Sequence, residues 1–184
     1  MQILNLKATF LLVALLLSMW RGDCTCSNLD DFVTWAEGKR GCVYKDPGGI
    51  KHIGIGFNLQ RAGARDTFLK AGLNYDSALN GQYCLTDSEM KSLFNNDIQW
   101  ARDGARNCVP SFDSQPLWVQ NVLIDMTYNM GGTSLWKWPK FVQQIGSRLY
   151  ESAAKNMAST KYWGQVGNRC TRNQEVLRRC VSYA

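Results

Sequence analysis

The chain has 184 residues, of which 45% are apolar and 20% charged, with seven Trp and a formal net charge of +6. That length supports one domain with a sizeable core, and the composition excludes a disordered or repetitive chain. The positive balance favours an anionic partner such as a bacterial envelope, but no Lys/Arg run or nucleic-acid motif accompanies it, so nucleic acid is not a partner on this reading.

The first 22 residues read as a secretion signal, cut somewhere from Ser18 to Thr25. Lys7 supplies the positive start, Phe10 to Leu17 the apolar run, and small or polar residues follow. The run is too short to favour a membrane span, so the mature protein is expected to be secreted, without stable membrane insertion. Seven cysteines (Cys24, Cys26, Cys42, Cys84, Cys108, Cys170 and Cys180) in a secreted chain imply disulfides. Cleavage between Cys24 and Cys26 would leave six, pairable in fifteen ways. A single His and the absence of Cys-x-x-Cys give no metal site. Residues 23–184 read as one domain.

Leu29, Phe32, Val33 and Ala36 follow helical spacing over 28–37, with Ser27 or Asn28 as cap and Asp30 and Asp31 in the positive first turn. Gly38 and Gly41 are expected to stop this helix. Cys42, Val43 and Tyr44 favour a strand, Asp46-Pro47-Gly48-Gly49 a turn, and His52, Ile53 and Ile55 a returning strand. Gly54 and Gly56 leave room for something to approach the backbone. Two carboxylates therefore stand at changes of direction, Glu37 at a helix end and Asp46 at a hairpin corner, with His52 just beyond. Folded back on the helix end, the hairpin can aim all three into one cleft. Splitting a glycosidic bond needs such a set: one acid protonates the departing oxygen while other groups hold water or stabilise positive charge on the ring.

Further on, Arg65–Ala71 predicts a short helix ended by Gly72, and residues 74–81 a loop or single turn. Thr86-Asp87-Ser88-Glu89 is a capping-box signature. From it a helix runs over about 87–107, with Met90, Leu93, Phe94, Asp97, Ile98, Ala101 and Ala105 on one face and Cys108-Val109-Pro110 at its end. Cys84 and Cys108 flank it, on the order of 35 Å apart, so they are not expected to pair with each other. Cys42 with Cys84 would instead link two parts of one lobe. Pro116 suits a first turn, and the segment after it, apolar nearly all round, reads as a central buried helix ended by Gly131-Gly132. Shorter helices are expected near 139–149, 150–158 and 169–181. Trp136, Trp138 and Trp163 read as core rather than sugar platforms.

Glu37-Gly38, Tyr44-Lys45-Asp46 and Ile53-Gly54-Ile55-Gly56 stand at the spacings of the bacteriophage-type lysozymes, glycoside hydrolase family 24. The chain resembles that family over roughly residues 27–182, continuing through Leu93-Phe94-Asn95-Asn96-Asp97, Tyr128-Asn129-Met130-Gly131-Gly132 and Asn168-Arg169-Cys170. The resemblance implies a mainly α, α+β fold of two lobes: a small sheet lobe about 38–85, a linking helix about 87–107, and a helical large lobe about 108–182 that takes in helix 28–37. It implies hydrolysis of the β-1,4 bond between N-acetylmuramic acid and N-acetylglucosamine in peptidoglycan, without a cofactor, by a protein read as a monomer. Glu37 matches the general acid, Arg169 the arginine that pairs with it, and Asp46 the catalytic aspartate, which either stabilises developing charge or helps hold the water.

Tyr128 and Asn129 are candidates to line the cleft. His52 stands where the family usually has a water-positioning Thr. Neutral imidazole there can deprotonate water, giving inversion, or attack the sugar carbon, giving retention. Phe57 stands where the family often has a His paired with an Asp on the long helix. Asp97 matches that Asp and therefore needs another partner. Two other readings remain: a non-catalytic cationic wall-binding protein, and a peptidase using a free Cys with His52.

Overall fold

The structure is a computed structural model and describes residues 28–179. The expected signal segment and its cut, and Cys24, Cys26 and Cys180, lie outside the described residues. Asn28 is the first cap: its side chain accepts from the amides of Asp30 and Asp31 at 3.0 and 3.4 Å. Helix α1 (Leu29–Glu37) follows, burying Phe32 and Val33, and Gly38 at φ +73° ends it. Three short strands form an antiparallel sheet in the order β1-β2-β3: β1 (Arg40–Lys45), β2 (Lys51–Gly54) and β3 (Phe57–Asn58).

The sequence reading has only two strands. The third exists because Gly54 and Gly56, both near φ +70°, reverse the chain between β2 and β3. Gly41 does not stop α1 but lies inside β1. Its carbonyl accepts the Leu85 amide at 2.8 Å, and an added Cβ would stand 2.7 Å from the Leu85 oxygen. Its lack of a side chain lets the returning chain close on the strand.

Helices α2 (Ala64–Lys70) and α3 (Tyr75–Leu79) complete the small lobe. Its core is built from Ile53, Phe57, Leu59, Phe68, Leu73 and Leu85, joined by Met90 and Leu93 from the next helix. The disulfide Cys42–Cys84 closes a 42-residue separation across this lobe.

The capping box forms as the sequence indicates, with Thr86 and Glu89 exchanging side-chain and backbone bonds at the start of α4 (Asp87–Cys108). This helix serves both cores. Met90 and Leu93 enter the small one, while Phe94, Ile98, Ala101 and Ala105 enter the larger. Its 22 residues span roughly 33 Å, which keeps Cys84 and Cys108 apart.

Asp97, only 3% exposed, takes both ends of the Arg61 guanidinium at 2.9 and 2.5 Å. That guanidinium lies 4.3 Å over the Phe57 ring. Phe57 cannot pair with Asp97, but it gives the arginine that does a surface to rest on. Burial raises the Asp97 carboxyl above its ordinary range, and Arg61 opposes that rise.

Helix α5 (Leu117–Met130) threads the large core, with Pro116 just before it as the cap rather than inside its first turn, and Gly131 ending it. Around it lie α6 (Pro139–Gly146), α7 (Tyr150–Ala158), α8 (Lys161–Val166) and α9 (Asn168–Arg179). Helix α8 is not expected from the sequence, because its short stretch contains Gly164 and no apolar repeat. Trp138 packs edge-on to Phe141, whereas Trp136 is 60% exposed, contrary to the core reading; Trp163 is outside the described side chains.

Cys108 and Cys170 are also corrected. They are not disulfide partners but buried free thiols. Cys108 sits against the Gly132 carbonyl at 3.6 Å. Burial pushes Cys170 up to about 11 and Cys108 in the same direction, so neither supplies a thiolate near neutral pH. Among the described residues no helix is long and apolar enough to cross a membrane.

Two stability predictions follow from these contacts. Arg61→Ala leaves a buried carboxylate without its partner and should lower the unfolding free energy by about 2 kcal/mol, whereas Arg61→Leu/Asp97→Leu should lose less; urea titrations compare them. Cys42→Ala/Cys84→Ala releases the 42-residue loop and should cost up to about 4 kcal/mol by loop entropy. An unchanged urea midpoint would count against that constraint.

Candidate active site

Glu37 is the last residue of α1, so its side chain leaves the helix where the backbone turns away. Its carboxylate lies on Gly56, where an added Cβ would stand 2.5 Å from Glu37 Oε2. The room left at Gly56 is taken by Glu37 itself. Gly54 differs, since its added Cβ would meet Leu85 and Met90 at ordinary contact distances of 3.5 and 3.6 Å. Gly54 is needed for its turn, not for a close approach.

The Gly56 carbonyl meets His52 Nδ1 at 3.2 Å, and His52 Nε2 lies 3.3 Å from Asp46 Oδ2. Both partners accept, so the imidazolium donates to both, while the neutral ring donates either to the Gly56 carbonyl or to the Asp46 carboxylate according to its tautomer. The His52 ring stacks on Tyr44 with centroids 5.7 Å apart.

Asp46 closes the hairpin turn as well as facing His52. Its Oδ1 accepts the Ile50 amide at 2.9 Å, and its carbonyl accepts the Gly49 amide at 2.9 Å. The Ile50 amide first, then the His52 ring, holds its carboxyl below the usual carboxylate range. A lowered carboxyl favours folding above its unfolded value. That contribution is intact at neutral pH and fades as acid brings the folded carboxyl to protonation.

Arg169, on α9, reaches Glu37 Oε1 from Nη1 at 2.5 Å. Its Nε and Nη2 grip the Asp125 carboxylate at 3.0 and 2.9 Å, and Nη2 also meets the Asp125 carbonyl at 3.2 Å. Asp125 is fully buried and further accepts from Asn173 at 2.8 Å and Arg172 at 3.3 Å. The Arg172 guanidinium lies over Phe32 at 3.9 Å and Trp35 at 4.5 Å. Burial opposes the charge on Arg169, but Asp125 and Glu37 outweigh it and hold the guanidinium firmly protonated.

Tyr128 packs its ring near Phe94 and donates its hydroxyl to the Ile55 carbonyl at 2.7 Å. It ties α5 to the glycine turn, and burial pushes its phenol well above the ordinary value. Asn129, the next residue, is exposed. Among the described residues no cluster of His, Cys, Asp and Glu could hold a metal ion.

The structure thus joins Glu37, Arg169 and Gly56 by contact, and Gly56, His52 and Asp46 by hydrogen bonds. The sequence reading passed over Asp125 and Arg172. One signal was available: a lone acid in Ile124-Asp125-Met126, on a helix apolar nearly all round, has to find a cation. Both Gly54 and Gly56 are strained for a side chain, yet only Gly56 lacks space. Gly56→Ala should cost about 3 kcal/mol and Gly54→Ala about 1 kcal/mol, a difference that thermal unfolding will read.

The family model described as phage lysozyme matches residues 34–179. A curated relative, "Probable T4-type lysozyme 1" of Dictyostelium discoideum, is 24% identical over 160 residues, which cover 82% of this chain and 94% of that protein. With the family match running from within α1 to the last residue of α9, across both cores and both halves of the Glu37–Arg169 contact, the chain belongs to the phage lysozyme family and is a glycoside hydrolase of the muramidase type.

Proposed function

We propose that this protein is a secreted lysozyme, acting in antibacterial defence or digestion, that cleaves the β-1,4 bond between N-acetylmuramic acid and N-acetylglucosamine in peptidoglycan. Glu37 is the general acid. Arg169 orients it, and the Glu37 side chain stays 17% exposed. It protonates the departing oxygen as the bond to the ring carbon lengthens. Asp46, held ionised by the Ile50 amide, stabilises positive charge on the ring.

His52 replaces a positioning hydroxyl with a base. With its hydrogen on Nδ1, the neutral ring offers Nε2 as an acceptor beside Asp46 Oδ2, 3.3 Å away, and the two take the O–H bonds of one attacking water. That arrangement gives inversion. Protonation turns the same pair into an ion pair and removes the base. Asn129, which is exposed, binds an acetamido or hydroxyl group in this reading, while Tyr128 supports the turn. The net charge of +6 draws the protein to anionic walls.

The observation that carries this reading is Gly56. Glu37 fills the space where a Cβ on Gly56 would stand and the Gly56 carbonyl meets His52, which supports reading Glu37 and the Asp46–His52 pair as one site. The cysteine-peptidase reading finds no support in the buried thiols Cys108 and Cys170.

Release of reducing ends from purified peptidoglycan tests the assignment. Glu37→Gln should lose at least about 100-fold in rate. If the wild type releases no ends but binds or kills bacteria as well as Glu37→Gln does, the fold serves a non-catalytic wall-binding role instead. His52→Thr should lose at least about 10-fold in rate; an unchanged rate would mean that the imidazole is not the base. NMR of the fresh product should show the α-anomer; the β-anomer would mean that His52 attacks the sugar carbon.

A further inference from the structure

We infer that Asp125 is a positioning residue for the reaction: it balances the charge of Arg169, so that the arginine can hold Glu37 in place without stripping it of its proton. The inference rests on Glu37 being the general acid.

A guanidinium at 2.5 Å fixes a carboxylate well but also favours its ionised form, which is the wrong form for an acid that must deliver a proton. Asp125 answers that conflict. It grips the other edge of the same guanidinium through three contacts of 2.9 to 3.2 Å, and it is fully buried, so solvent does not screen it.

The charged groups around Glu37 come from three elements. Arg169 and Arg172 lie on α9, Asp125 and Tyr128 on α5, and Tyr44 on β1. Both phenols are raised, foremost by burial, Tyr128 strongly, and stay neutral. His52 and Asp46 stand across Gly56. Two arginines against one buried aspartate leave one net positive charge on the α5–α9 side of Glu37. Arg172 contributes as the second cation on Asp125, stacked between Phe32 and Trp35 of the helix that ends in Glu37.

Asp125→Asn removes the anion and leaves two positive charges. Asp125→Asn/Arg172→Gln restores one, although it has fewer hydrogen bonds. The charges therefore predict a reversal that a purely structural role does not.

The test measures kcat and KM against pH for reducing-end release by full-length variants, with circular dichroism to establish folding. In Asp125→Asn the alkaline limb of kcat should move toward acid by about 1 pH unit, with KM within about twofold, because Asp125 has no exposed surface for substrate. In the double variant the limb should return at least halfway. Arg172→Gln alone should move it the other way, toward alkali, and this variant carries the test if Asp125→Asn does not fold.

An unmoved limb in folded Asp125→Asn, or in Arg172→Gln, overturns the inference. So does a double variant displaced further than the single one, which is the result for a residue that only supports packing. If Glu37→Gln keeps the wild-type rate, the general-acid reading fails instead, and the two failures are thus distinguishable.

Discussion

A carboxylate with no solvent exposure, placed in the middle of the most apolar helix of the large lobe, is the constraint around which this molecule is arranged. Burying the Asp125 charge would cost several kcal/mol if it were left unpaired, so the fold has to bring cations to it. They come from α9, where Arg169, Arg172 and Asn173 all donate to Asp125. Helix α9 is thereby fixed against α5, and Arg169 has one amino group left over. That group reaches Glu37, 132 positions earlier in the chain. The position of Glu37 is a consequence of satisfying a buried ion: three helices distant in sequence are held together by one guanidinium whose donors are used on both edges.

The second support comes from the sheet side. The Gly54–Gly56 turn passes beneath Glu37, and its carbonyls are used outward: Ile55 accepts from Tyr128 of the large lobe and Gly56 from His52 of the small one. A buried Tyr hydroxyl needs a partner, so the bond to Ile55 serves both sides, satisfying the phenol and fastening α5 to the turn. Lobe contact and site geometry are thus one set of bonds. A side chain at Gly56 would displace the acid, whereas one at Gly54 would only touch Leu85 and Met90.

What was legible in the sequence was local. The Thr86–Glu89 capping box, the apolar face of α4, the turn at Asp46 and the glycine end of α1 each rest on residues within a few positions of one another. The site spacing from Glu37 through Asp46 to Gly56 could be read for the same reason, and so could the need of Asp97 for a new partner once Phe57 stood in place of a histidine. The name of that partner, Arg61, could not, because 36 positions separate the two and no periodicity links them. Gly41 reads locally as a helix stop, yet its purpose is set by Leu85, 44 residues on. The cysteines show the same limit: a count of seven argues for pairing in a chain expected to be secreted, but Cys108 and Cys170 lie in a packed apolar core, where a thiol serves as a small hydrophobe.

His52 is where local chemistry and tertiary placement meet. The sequence shows an imidazole six residues after Asp46. The structure adds that its two nitrogens face two acceptors, a carbonyl and a carboxylate. A neutral imidazole has one N–H, so it can satisfy only one of them at a time, whereas the imidazolium satisfies both. A threonine there could offer one hydroxyl to a water. The histidine offers a ring nitrogen there instead, already in contact with Asp46. Because the carbonyl that meets Nδ1 belongs to the residue on which Glu37 rests, the Glu37 carboxylate and the His52 ring share one point of attachment. A shift of that glycine displaces both at once.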